Sequence, residues 1–383
     1  MTSRPPFILN PLARSGAWDA IPLPFVPRLF RWLAEPRRAM KNTIKSLAYR
    51  SGVLPVLHRL RNRDTLTVAM FHRILPAAEA RALGADPEWT MSPDSLRACL
   101  RFFSRHYSVV SPAQVFTALR GEQALPANSL LITFDDGWCD TAIYAQPILD
   151  ECAVPALVFV AGIAIDQAEP FWEERIFSML ATDPGAPAQL TRAFAEAGIV
   201  SPAEDIDAAN TRWVIRHLGE LDQPARERVL AALPKLAHCA PAMMDRAQVN
   251  ALAAAGHAIG GHGMVHQPLT KVADLGAELR NAQKAVAGCL GQTCIESMSF
   301  PHGAFDDAVI AASHAAGYRF LFTSDARLNA LPVGPSVAAV GRIHLSERTF
   351  TDAGGRFQPA LLATSLFLRP IANLESSKGK LHA

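Results

Sequence analysis

Leu130-Leu131-Ile132-Thr133-Phe134-Asp135-Asp136-Gly137 is the stretch on which the fold turns. Its first five residues carry no charge. They read as a strand buried on both faces, the kind found in parallel sheets covered by helices. Two carboxylates follow at the strand's C-terminal end, where parallel α/β folds place their functional groups. Gly137 permits a tight turn beside them. Strand side chains alternate in direction, so one acid can ligate a metal while its neighbour faces bound water. A single Asp here would be explained as a helix N-cap. Two in succession ask for more.

Outward from this strand the chain alternates. Thr65 to Phe71 reads as a strand, Pro93 to His106 as a helix, and Tyr107 to Val110 as a short strand. Ser111 and Pro112 then open another helix. After Asp136 a helix runs to about Asp150, and Ala156 to Val160 is a further buried strand. The rhythm breaks over residues 166–244, where helical segments dominate: Pro170–Leu180, Thr191–Ala197, Asn210–Leu218 and Gln223–Leu233. It resumes with the helix Asp245–Ala255, the strand His257–Gly261, the helix Asp274–Leu290, the strand Glu296–Phe300, the helix Asp306–Ala316, and the strands Tyr318–Thr323 and Val337–Leu345. About seven β/α units predict an α/β fold, a distorted (β/α) barrel with a helical insertion. The domain plan is a basic arm over 1–60, a catalytic domain over 61–348 interrupted by 166–244, and a weakly patterned tail over 349–383.

A second stretch carries chemistry of its own. His262-Gly263-Met264-Val265-His266 follows a strand and spaces two imidazoles at i and i+4. The helical zinc-protease motif shares that spacing but needs Glu directly after the first His. Gly263 stands there, and Pro268 forbids a long helix, so a metalloprotease is excluded. An Asp with two His and open positions suits a catalytic divalent metal, most often zinc.

Together these segments resemble the polysaccharide deacetylase, or NodB-homology, family of metal-dependent amide hydrolases. Thr133–Gly137 is similar to its first motif and His262–Leu269 to its second. Phe300-Pro301-His302-Gly303 resembles the third, in which Tyr usually stands where His302 does, and the Arg that often precedes that Pro is absent. Phe71-His72-Arg73-Ile74 resembles the segment that opens the domain in one branch. The resemblance covers residues 65–165 and 245–345. It implies that Asp135 is the general base and that Asp136, His262 and His266 hold one divalent metal, Zn2+ first, with Co2+, Ni2+ or Mn2+ as substitutes. Pro301, His302 and Arg342 fall on the oxyanion and substrate side, with the main-chain N–H after Pro301 as an oxyanion donor. His344 is the first candidate for proton donor and His72 the second. The implied reaction removes N-acetyl groups from an amino-sugar polysaccharide, oligosaccharide or sugar-lipid. Hydrolysis of a small cyclic amide or ureide, and non-catalytic carbohydrate binding, are the competing readings.

Charge is unevenly placed. Residues 1–63 carry twelve Lys/Arg and two acids, a local +10 against a whole-chain +2. With Phe30 and Trp32 among basic residues, this suggests peripheral contact of the arm with an anionic membrane. No nucleic-acid partner is expected. Six scattered cysteines form no CxxC pair and read as reduced, mostly buried thiols. The opening residues show no secretory signal, and the longest apolar run falls short of the ~20 residues that span a bilayer. A cytoplasmic place, at most peripheral to the inner face of the membrane, is expected.

Overall fold

The computed structural model describes residues 29–203, 205–234, 242–331 and 339–372, with side chains from residue 40 onward. The chain divides into a unit of residues 1–44 and one of residues 45–383. In the arm, the sequence pattern reads as one short helix over residues 25–33 and another over residues 44–60; residues 25–28 lie outside the described residues, and the helices described are Leu29–Arg50 and Val53–Arg61. Gly52 breaks the run between them with φ 83°, a conformation other residues rarely adopt. The side chains of Phe30 and Trp32 lie outside the described residues. Among the described residues no helix is long and apolar enough to cross a membrane.

Among the described residues of the second unit, twelve strands follow: β1 (Thr65–Phe71), β2 (Arg73–Ile74), β3 (Thr90–Met91), β4 (Ser108–Val109), β5 (Ser129–Phe134), β6 (Leu157–Val160), β7 (Ala258–Gly261), β8 (Ser297–Ser299), β9 (Phe320–Phe322), β10 (Leu328–Ala330), β11 (Ile343–His344) and β12 (Ile371–Ala372). β1, β5, β6, β7, β8 and β9 are parallel neighbours in that order. Residues 340–344 join the two ends of the run. Val340 bridges Phe322, and Ile343 and His344 pair in parallel with Ala69 and Met70. With β11 this makes seven parallel strands, and the expected distorted barrel stands.

Four short strands were missed: β2 and β3, which pair with each other, and β10 and β12. β10 runs antiparallel to β1 and β12 pairs with β10, both at one edge. The expected tail is also structured as far as Ala372. Helix Pro359–Phe367 buries Leu362, Ala363, Leu366 and Phe367 in the main core. Periodicity alone did not mark it, because its residues are apolar nearly all round.

Strand parity explains both cores and aims the site. Leu66, Val68, Leu131, Leu157, Phe159, Phe320, Phe322 and Val340 pack together in one cluster. Their neighbours Ala69, Leu130, Ile132, Val158 and Val160 belong to the larger cluster that includes Leu96, Leu100 and Phe103 of the helix Pro93–His106. The insertion has a core of its own, with Ile176, Leu190, Phe194, Val214, Leu218 and Val229 buried among helices Trp172–Thr182, Ala186–Glu196, Thr211–Glu220 and Gln223–Ala231. Of the five cysteines described, Cys99 and Cys289 are buried and Cys139 is half-buried; Cys152 and Cys294 are exposed, so the expectation of mostly buried thiols fails for these two. Cys239 lies outside the described residues.

Candidate active site

On β5 the positions that share a face with Leu131 are 133 and, just past its end, 135. Asp135 accordingly meets the barrel mouth, where Arg342 grips it with two bonds. Arg342 Nη1 donates to Oδ1 at 2.6 Å and Nη2 to Oδ2 at 2.8 Å. Arg342 is 1% exposed; its Nε–H donates to the Thr323 carbonyl, and its guanidinium lies over the Phe159 ring. Burial works to raise the pKa of Asp135, but Arg342 outweighs it and holds the carboxyl below its ordinary value. The placement of Arg342 on the substrate side is therefore corrected. Two of its hydrogen bonds hold Asp135, and the others go to Thr323 and Thr133. The site also does not lack a guanidinium for want of Arg before Pro301, since position 342 provides one.

Asp136 follows the opposite parity, and the backbone turns it. Its φ is 81°, a left-handed conformation uncommon outside glycine, and Gly137 follows at 94°. The turn brings Asp136 Oδ1 to 3.3 Å from His262 Nε2 and 3.2 Å from His266 Nε2. Trp138 Nε1 donates to the other oxygen at 2.8 Å. Burial pushes against ionisation of Asp136, yet the two imidazoles hold its carboxyl well below the carboxylate range. His266 has φ 53° and His302 φ 56°, so strained backbone gathers at this site, as it does at functional sites generally.

The donors fit a metal. Atoms bound at ~2.1 Å around a tetrahedral centre lie about 3.4 Å apart, close to the spacings seen. His262 Nδ1–H donates to the Ser299 carbonyl at 3.0 Å, which fixes the tautomer and leaves Nε2 free to ligate. Glu278 accepts from the main-chain N–H groups of Met264 and Val265 and holds the loop between the two histidines. His266 is less well supported: its ring stacks on Phe171, and its Nδ1 is buried without a partner.

The remaining expected residues divide. His344 pairs with Met70 on β1, so by parity it shares a face with His72 two residues further on. The two rings meet edge to face at 5.2 Å, and Trp89 packs against both. Burial, with His72 adding to it, pushes His344 down to about 3. Burial also lowers His72. Pro301 is buried, and His302 hydrogen-bonds through Nε2 to the His266 carbonyl at 3.1 Å. Gly303 is required, because a Cβ there would meet Ser324 Oγ at 1.9 Å.

Sequence reasoning missed several groups. Arg73 pairs with Asp140 and Glu174 and lies over the Trp138 ring, bracing the turn that carries Asp136. Glu173, at the start of helix Trp172–Thr182, reaches the site from the insertion. Its Oε1 is 3.6 Å from His302 Nε2, and burial raises its carboxyl to about 7. Asp136, His262 and His266 form one potential metal-ligand group, and Glu173, His266 and His302 form a second. The insertion was read as helices alone. No periodicity marks Phe171 or Glu173 as site residues.

Comparison with known proteins agrees with the recognition made on the motifs. The sequence profile of the polysaccharide deacetylase family matches residues 204–321. That span takes in the second and third motifs, while Asp135, Asp136 and Arg342 lie outside it. The fold is similar to that of IcaB from Ammonifex degensii, at 16% identity and TM-score 0.50, over 79% of this chain and 97% of that one. It is likewise similar to a polysaccharide deacetylase from Bacillus cereus, at 12% identity and TM-score 0.50, over 79% and 69% of the two chains. A Streptococcus pyogenes deacetylase solved in complex with acetate matches at 14% identity and TM-score 0.49, over 79% and 99%. No curated protein matches the chain in sequence.

Proposed function

We propose that the protein is a metal-dependent N-deacetylase acting on an amino-sugar polysaccharide or oligosaccharide. The observation that carries this is the buried Asp135–Arg342 pair beside the Asp136–His262–His266 group. Binding alone gives no reason to desolvate such a pair, which costs several kcal/mol per ion before it is repaid. A non-catalytic descendant would not need it.

A divalent metal held by Asp136, His262 and His266, with zinc the ion such donors suit best, would supply a Lewis acid for the acetyl carbonyl and lower the pKa of water. Asp135 takes the water's proton. Arg342 keeps that carboxylate ionised near neutrality and fixes its direction. The main-chain N–H of His302 faces the developing oxyanion. His344 passes a proton to the leaving nitrogen. Burial keeps its imidazole neutral at rest, so the proton must reach it during turnover, and the proton gained by Asp135 is the near source. Acetate and a free amino sugar leave.

Trp89 supports a sugar substrate. It is 41% exposed while packed against His72 and His344, so it offers an apolar ring face at the rim of the site. His302 is exposed as well. Openness on this side favours a chain-like glycan over a small cyclic amide held in a closed pocket.

Acetate release from N-acetylglucosamine oligomers by zinc-loaded protein tests the proposal. Asp135→Asn should keep the metal and lose ~10²–10⁴-fold in rate. His262→Ala should lose the metal itself. Metal-loaded protein that releases no acetate from any N-acetylated glycan overturns the activity.

A further inference from the structure

We propose that the end of the barrel opposite the catalytic acids is a docking surface for an anionic lipid bilayer. The proposal stands on other residues than the active site. A concave pocket of about 450 Å³ is lined by Arg59, Arg63, Arg105, His106, Leu60 and Asn128, among others, with no carboxylate in its lining. The three arginines are exposed, and among the described residues none has an ion-pair partner. Their field is felt nearby. Burial, then Arg105 and Arg59, push His106 down to about 4.

Beside the pocket, helix Val53–Arg61 shows two faces. Leu54 and His58 are buried, His58 stacking on Phe367 at 4.0 Å. The other face exposes Val53, Val56, Leu57 and Leu60, with Leu60 76% accessible. Positions 53, 56, 57 and 60 follow the spacing of one helical face. Aliphatic side chains flanked by arginine are what an interfacial helix presents to headgroups and the acyl boundary. Charge selects the occupant. Residues 1–28 carry three arginines and one acid, so the arm does not complement a basic pocket. A two-fold contact with a second copy would set the same arginines against themselves. An anionic bilayer satisfies both the charge and the aliphatic face.

The position has a consequence for substrate. Arg63 precedes β1, Asn128 precedes β5 and Ser108 opens β4, so the pocket rims the N-terminal ends of parallel strands. Asp135 and Asp136 follow the other end of β5. Its six residues span ~20 Å. A docked molecule therefore presents its active site away from the bilayer, toward a water-borne chain rather than a headgroup of the same leaflet. This last step rests on the deacetylase reading; the docking itself does not.

Sedimentation of the full chain with phosphatidylcholine vesicles, with and without phosphatidylglycerol, tests it. The intact protein should sediment only with the anionic vesicles, and less at high salt. Arg59→Gln, Arg63→Gln and Arg105→Gln combined should weaken binding on the order of 100-fold, about 5-fold per basic residue at a membrane surface. Val56→Asp with Leu60→Asp should also weaken it. Acetate release from soluble oligomers and the melting temperature should stay unchanged in both variants. Three results would overturn the proposal: no sedimentation of the intact protein; sedimentation that survives the triple variant but is lost on deleting residues 1–28; or arginine-dependent binding to a soluble anionic polysaccharide without vesicle binding. A failed deacetylase reading would show in acetate and leave sedimentation untouched.

Discussion

Arg342 and Arg63 sit at opposite ends of the same barrel and do opposite things with the same charge. Arg342 is 1% exposed and clamps both oxygens of Asp135. Arg63 is exposed and holds no carboxylate among the described residues. The difference separates chemistry from association. A base must be aimed, which takes a rigid and desolvated partner; capture of a large anionic surface takes charges left free in water. Backbone conformation does not follow the same division. Asp136, His266 and His302 have left-handed backbone at the catalytic end, but Asn128 in the lining of the basic pocket is left-handed too, with φ 53°.

The comparison breaks most visibly on stability. Arg342→Met leaves Asp135 buried and unpaired, a change that typically costs 3–5 kcal/mol. Arg63→Met should stay within about 0.5 kcal/mol. Urea unfolding of both variants checks this, and equal losses would erase the distinction. The pH dependence adds a sign. Arg342 lowers the pKa of Asp135 in the folded state, so the pair's contribution is present above the ordinary carboxylate pKa and is lost as pH falls through the folded value. Wild-type stability should drop on acidification more steeply than that of Asp135→Asn.

His344 sharpens the comparison on the catalytic side. A donor charged at rest gives a bell-shaped pH–rate profile, as the motifs alone would suggest. With its pKa near 3, His344 is neutral across the working range, so no alkaline limb between pH 6 and 9 should depend on it. His344→Ala should still cut amide hydrolysis ~10²-fold or more while sparing an activated acetate ester, whose leaving group needs no proton. An alkaline limb that His344→Ala removes would show that the ring is charged before substrate arrives. His72→Ala should harm both substrates, because buried His72 lies close enough to feel the charges of Asp136 and Asp135.

The barrel and the paired acids of its candidate site were legible because they are local. An apolar strand ending in Asp135-Asp136-Gly137, and two histidines four apart after the next glycine-rich strand, announce themselves within a few residues. Arg342 was visible but misassigned. Its partner lies 207 positions away, and the available clue was parity, since Arg342 and His344 share one face of a strand aimed at the mouth. Glu278, Phe171 and Glu173 left no comparable trace. Each is an ordinary helix or loop residue whose role comes from long-range packing. β10, β12 and the helix Pro359–Phe367 were lost for a related reason: short edge strands and an apolar helix carry little alternation to read.

Trp89 carries the smallest predicted effect and the most direct test of what the open rim is for. Its indole packs against His72 and His344 while 41% of its surface stays exposed. If the exposed face binds a sugar ring, Trp89→Ala removes uniform binding. KM for oligosaccharides should then rise ~3- to 10-fold, the range of a single aromatic contact, with kcat little changed. A small activated acetate ester, which has no sugar to stack, should show no change. If Trp89 instead fixes the imidazole of His344, kcat for the amide should fall while KM holds, and Trp89→Phe should restore most of it. A kcat effect would make the rim part of the rigid catalytic end. A KM effect confined to sugars would make it an open face for association, set directly against the buried pair.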